Sequence, residues 1–190
     1  MRILITGFEP FGGSEVNSSW EVASRVGIQP VEGHEILCRQ LPVSFRRVGE
    51  QIEELLMEVR PDIAIMLGQK GSGNSIDIER VALNMMDSAK EDNDGYMPDE
   101  SLIHPDGPPA YFSHLPVKVL RDCLIENGIS AKVSNSAGLY VCNCAYYEAI
   151  NAVCGNGLKT RVAFVHIPRI SEDWTIEKLQ LAVTLLIEHC

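Results

Sequence analysis

The sequence predicts an α/β protein, a single three-layer α/β/α domain over residues 1–190 built around a mainly parallel, twisted sheet. Short β-branched apolar runs alternate along the chain with stretches of helical spacing, as parallel strands joined by crossover helices require. The chain is also the right size for one core, and its 45% hydrophobic and 22% charged residues are those of an ordinary globular protein. No internal repeat or low-complexity tract breaks the pattern.

"RILITG" reads as a buried strand ending in Gly7, and "SSWEVASRVG" as a helix with Trp20, Ala23 and Val26 on one face. "HEILCRQL" supplies a second strand. Pro42 is suited to begin a helix that runs through "FRRVGEQIEELLMEVR", with Phe45, Val48, Ile52, Leu55 and Leu56 on its apolar side, and Pro61 stops it. "DIAIMLGQ" is apolar enough for a central strand, and "SIDIERVALNMM" reads as another, alternating through Ile76 and Ile78. From Asp87 to Pro109 the chain is acidic, carries four prolines and has no period, so it is expected to be a long surface excursion. A helix at "PVKVLRDCLIENG", a strand at "AKVSNS", a helix at "CNCAYYEAINAVCG", a strand at "RVAFVHIP" and a helix at "DWTIEKLQLAVTLLIEH" complete the expected order.

Charge and cysteine use narrow the function. A net charge of −10 disfavours nucleic acid, whose binding relies on Lys and Arg neutralising phosphates. "MRILITGFEPFGG" turns polar and Gly-rich before a leader's apolar run is complete, and no stretch reaches the length of a membrane span, so a cytoplasmic protein without membrane partners is expected. Six cysteines at irregular spacing do not form a disulfide framework and are expected to be reduced thiols.

Three reactive side chains fall at the expected ends of elements: Glu79 in "IERVALN", Cys142 in "GLYVCNC" and His166 in "FVHIPR". A thiol attacks as thiolate, and both a helix start and an imidazolium favour that form. The same helix start offers the backbone N–H groups of Cys142 or Asn143 to a developing oxyanion, and a carboxylate such as Glu79 suits the task of fixing the imidazole tautomer. Spacing alone leaves bland readings open. A cysteine is commonly an inert core residue, His166 sits among Phe164, Val165 and Ile167, and Glu79 beside Arg80 equally suits a surface ion pair. The Cys-x-Cys pair lacks the second ligand cluster of structural zinc, so no metal is expected, and Cys144 falls on a different helix face from Cys142, toward the core. "GQKGSGNS" lacks the complete phosphate-loop pattern and leads into a strand; a turn with Gln69 as a hydrogen-bonding wall fits it better.

Taken together, "TGFEPFGG", "ERVALN", "DNDG", "SAGLYVCN" and "FVHIP", in that order from Met1 to about Arg169, resemble pyroglutamyl peptidase type I, the pyrrolidone-carboxylate peptidases. The resemblance implies an α/β/α cysteine peptidase that removes an N-terminal pyroglutamyl residue, needs no cofactor and assembles as a homo-oligomer, commonly a tetramer. It places a catalytic triad on Glu79, Cys142 and His166 and a pocket for the pyrrolidone ring on Phe8, Phe11, Gln69 and Val141. Flat apolar walls with a few hydrogen-bonding groups suit an uncharged lactam. One departure stands out: where the family carries Arg in a stretch like "DARIPDN", this chain reads "DSAKEDN", which puts Ala89 at the Arg position and Lys90 one residue on. That Arg is thought to polarise the scissile carbonyl, and Lys offers a point charge without the planar fork. "NSSWE" in place of Asn-Pro-Ser-Trp-Glu affects only the lead into the first helix.

Overall fold

The computed structural model describes residues 1–28 and 31–190. Its elements are β1 (Arg2–Phe8), α1 (Ser18–Val26), β2 (Glu35–Leu41), α2 (Val48–Val59), β3 (Ile63–Gln69), β4 (Ile76–Glu79) and β5 (Val81–Leu83). They continue with β6 (Ala110–Phe112), α3 (Val117–Glu126), β7 (Ala131–Ser134), α4 (Val141–Gly155), β8 (Arg161–Ile167) and α5 (Ile176–Glu188). Six strands make one sheet in the order β2-β1-β3-β8-β4-β7. The first four run parallel; β4 reverses against β8, and β7 follows β4.

The α/β/α layering follows from strands that are apolar on both faces. β3 is buried along its whole length, so both of its faces need a cover. Ile3, Ile5, Ile63 and Ile65 join Val22 and Val26 of α1, Leu120 and Leu124 of α3 and Leu179 and Val183 of α5 in one core. Leu4, Ala64, Met66 and Phe164 join Ile52 and Leu56 of α2 and Ala145, Ala149 and Ile150 of α4 in the other. Asn17 caps α1 by accepting from the Ser19 amide, and Gly7 lets that helix start cross β1, since a Cβ there would lie 2.5 Å from the Ser19 carbonyl oxygen.

Several local expectations are corrected. Pro42 does not open a helix: residues 42–47 turn, and α2 begins at Val48, leaving Phe45 buried ahead of it. Trp20 is half-buried, and Val22 takes the core position beside Ala23 and Val26. "SIDIERVALNMM" is two strands, because the chain leaves the main sheet after Glu79 and β5 pairs instead with β6 in a separate ribbon. The helix after "SAGLY" starts at Val141, one residue early. The stretch from Asp87 to Pro109 is an irregular excursion, pinned rather than loose: Met86 and Ser101 exchange a bridge, Asn84 bonds His104 and Gly107, and Tyr147 donates to the Pro108 carbonyl. Among the described residues no helix is long and apolar enough to cross a membrane.

Candidate active site

The sheet changes direction of winding between β1 and β3, and the crevice above their carboxyl ends is where an open α/β sheet takes its ligand. The expected residues meet there. β1 ends in Phe8, β3 in Gln69, β8 brings up His166, and α4 opens with Val141 and Cys142. Phe8, Phe11, Gln69, Val141 and Cys142 line one narrow recess. Its remaining walls, Asn17, Val43 and Tyr140, carry no chemical signature in the sequence: Asn17 reads as a helix cap, Val43 as turn and Tyr140 as the lead into a helix.

Glu79 arrives by an unexpected route. Because β4 runs against β8, its end points away from the crevice; Asp77 pairs with His166 and Glu79 with Phe164, two residues deeper. Alternation puts Asp77, Glu79, Phe164 and His166 on one face, and the Glu79 side chain reaches diagonally to the imidazole. Its Oε1 lies 2.8 Å from His166 Nδ1, and the carboxylate is only 2% exposed. Asp77 does not compete for the imidazole, since Lys70 and Ser75 donate to its Oδ1 at 2.9 and 2.8 Å. Burial alone lowers the His166 pKa, but hydrogen bonding from Cys142 and Glu79 outweighs it and raises the value to about 10. Its surroundings therefore favour the protonated imidazole beside the Glu79 carboxylate.

Gly68, opposite His166 on β3, makes room for that ring: a Cβ would lie 2.8 Å from the Phe164 ring and 2.9 Å from His166 Cδ2. Gly68→Ala therefore tilts the imidazole, and kcat/KM is expected to drop by about 10² while circular dichroism retains the fold. Unchanged kinetics in the variant would show that the ring position tolerates the displacement.

At the start of α4, Tyr140 offers no side-chain cap. Asn143 N–H and Cys144 N–H both turn back to the Tyr140 carbonyl, at 3.0 and 3.3 Å, whereas Cys142 N–H has no partner among the described residues. Of the two amides expected to face an oxyanion, only that of Cys142 is thus uncommitted. The Asn143 side chain is fully buried and clamps β5 to the helix, accepting from Leu83 N–H and donating to the Leu83 and Met85 carbonyls. Cys144 is buried, as expected, and burial pushes its thiol pKa far up; all six cysteines are free. Gln69 Oε1 accepts from the Ser18 amide at 2.8 Å, which turns its NH2 group toward other partners. Ala89 and Lys90 are exposed, and among the described residues Lys90 is held through its backbone, by the Ser88 hydroxyl.

A half-buried thiol at a helix start, an imidazole braced by a buried carboxylate and an uncharged aromatic recess define a cysteine hydrolase acting on a small neutral acyl group. The chain belongs to the pyroglutamyl peptidase family, whose model matches residues 1–188. It is 46% identical over 173 residues to the pyrrolidone-carboxylate peptidase of Thermococcus onnurineus, covering 91% of this chain and 86% of that protein. It is 38% identical over 183 residues to that of Bacillus cytotoxicus, covering 96% and 85%. A mutant pyrrolidone carboxyl peptidase from Pyrococcus furiosus superposes with a TM-score of 0.94 at 36% identity, over 99% of this chain and 97% of that one. The Thermococcus litoralis enzyme gives 0.93 at 32%, over 98% and 91%.

Proposed function

We propose that residues 1–190 form one peptidase domain that removes N-terminal pyroglutamate through a thioester formed on Cys142. The Cys142 thiolate attacks the carbonyl joining pyroglutamate to the next residue, and His166 gives its proton to the departing amine. Water, deprotonated by His166, then attacks the thioester and releases pyroglutamate and the thiol. Glu79 keeps Nδ1 engaged so that Nε2 serves the thiol and the leaving group. Cys142 N–H is the backbone donor for the oxyanion. Phe8, Phe11, Val43, Tyr140 and Val141 supply the apolar walls, and the free Gln69 amide protons meet the lactam carbonyl.

The observation that carries this reading is the 2.8 Å contact between buried Glu79 and His166 in a chain of this family, with Cys142 close enough to help raise the His166 pKa. Free thiols and a net charge of −10 support a cytoplasmic, reducing setting without nucleic-acid partners. Homo-oligomeric assembly, tetrameric by family resemblance, is supported by Phe112 and Val119, which stay 68% and 53% exposed around one apolar groove. The test is fluorophore release from a pyroglutamyl aminocoumarin amide by the reduced protein, beside a prolyl amide that lacks the lactam carbonyl. Release from the first alone is the expected result; equal release from both would replace lactam recognition by a broader amide hydrolysis.

Ala89 bears on the rate. With no Arg at this position and Lys90 exposed, the scissile carbonyl lacks one cationic donor, and Ala89→Arg is expected to raise kcat by about 10². A variant no faster than the parent would mean that the remaining donors already suffice.

A further inference from the structure

Glu9 lies between Phe8 and Phe11 in "GFEPFGG" and belongs to neither the triad nor the lining of the recess. Its polar groups nevertheless run to the recess walls. Glu9 Oε1 accepts from Val43 N–H and from Asn93 Nδ2, both at 2.9 Å. Its backbone N–H donates to the Leu41 carbonyl, and its own carbonyl accepts from Asn17 Nδ2 at 2.9 Å. Asn93 repeats the link, donating from Nδ2 to the Pro10 carbonyl and from N–H to the Val43 carbonyl. Two residues earlier in the same excursion, the Glu91 carbonyl accepts from the Tyr140 hydroxyl.

One carboxylate oxygen thus joins three chain segments far apart in sequence: the loop that carries Phe8 and Phe11, the turn that carries Val43, and the excursion that fixes Tyr140. The rings of Phe11 and Tyr140, two of the recess walls, are tilted by 37° with centroids 6.2 Å apart. We propose that Glu9 is a positioning residue that sets the spacing of the pocket walls and thereby the affinity for the lactam ring. A charged acceptor forms stronger bonds than a neutral one, and among the described residues the partly buried Val43 N–H has no other acceptor when the carboxylate is removed. The walls then separate, and a compact ring loses contact on both faces while the triad beneath is untouched. The inference rests on the pocket assigned above.

The experiment measures KM and kcat on the pyroglutamyl amide, the inhibition constant of free 2-pyrrolidone, and the rate of Cys142 alkylation by iodoacetamide. The variants are Glu9→Ala, Glu9→Gln, Asn93→Ala and, as a pocket control, Phe11→Ala. Glu9→Ala is expected to raise KM and the 2-pyrrolidone constant together by about tenfold, with kcat within about threefold and alkylation unchanged. Glu9→Gln, whose carbonyl oxygen still accepts from both donors, is expected to recover most of the loss. Asn93→Ala cuts the same link from an exposed position, raises the same two constants, and stands in for Glu9→Ala if that variant does not fold. A fall in kcat with KM unmoved, or a 2-pyrrolidone constant unmoved in the Glu9 and Asn93 variants, overturns the positioning role. A constant unmoved in Phe11→Ala as well overturns the pocket assignment and this proposal with it.

Discussion

Cys142→Ala is expected to lower kcat/KM on a pyroglutamyl amide by about 10⁴-fold or more, because no other group of the site can accept the acyl chain. Affinity for 2-pyrrolidone is expected to stay close to wild type, since the proposed lactam walls are the side chains of Phe8, Phe11, Val43, Tyr140 and Val141, which the substitution leaves in place. The fold is expected to persist, as Cys142 is only half-buried and sits at the start of α4 rather than within its packed length. Cys144→Ala gives the internal control: the same residue type two positions on, buried, with a thiol held protonated by its surroundings, is expected to cost stability and little turnover. Comparable losses in both variants would mean that activity follows the integrity of α4 rather than the chemistry of one thiol.

Glu79→Gln has the second largest expected effect, a loss of about 10³- to 10⁴-fold in kcat, by analogy with the neutralised carboxylate of other triads. The geometry gives the reason. If the amide oxygen faces His166 Nδ1, its NH2 group occupies the place of Oε2, which has no hydrogen-bond partner among the described residues. If the NH2 group faces the ring instead, it forces the proton onto Nε2 and blocks acceptance from the thiol. Either way the negative charge that helps raise the His166 pKa from 6.5 to about 10 is gone. The sign of the pH effect follows. A raised folded-state pKa contributes stability that is complete below 6.5 and lost as pH climbs through about 10, and the acid needed for amine departure is lost over the same upper limb. In Glu79→Gln the alkaline limb of both the melting temperature and kcat/KM moves to lower pH. An alkaline limb that stays in place would assign it to a group other than His166.

Much of this was legible because local pattern and global fold agree. The parallel half of the sheet and its helices follow from apolar runs and helical spacing, and the crevice position of Phe8, Gln69 and His166 follows from the direction of β1, β3 and β8. Two kinds of feature were not legible. Strand direction is one: nothing in "IDIE" says that β4 runs against β8, and this reversal is why Glu79 reaches His166 from within the sheet and is almost fully buried. The other is long-range closure by side chains. Val43 and Tyr140 become pocket walls only because Glu9, Asn93 and the excursion meet, a junction between residues up to 84 positions apart that periodicity cannot register. Pro42 misled for a related reason: its neighbours Val43 and Phe45 face the pocket and the core from a turn whose amides bond Glu9 and Asp92, so the helix has to wait until Val48.

In the proposed mechanism one thiol among six carries the reaction, and the lactam pocket lies beside it. Alkylation of the folded, reduced protein with one equivalent of iodoacetamide, with and without 2-pyrrolidone, tests both parts when peptide mass spectrometry locates the label and residual hydrolysis is read on the same samples. The expected result is a label on Cys142, activity lost in proportion to it, and protection of both by the lactam. Full activity with Cys142 labelled, or a loss that follows labelling of another cysteine, would overturn the assignment of Cys142 as the nucleophile.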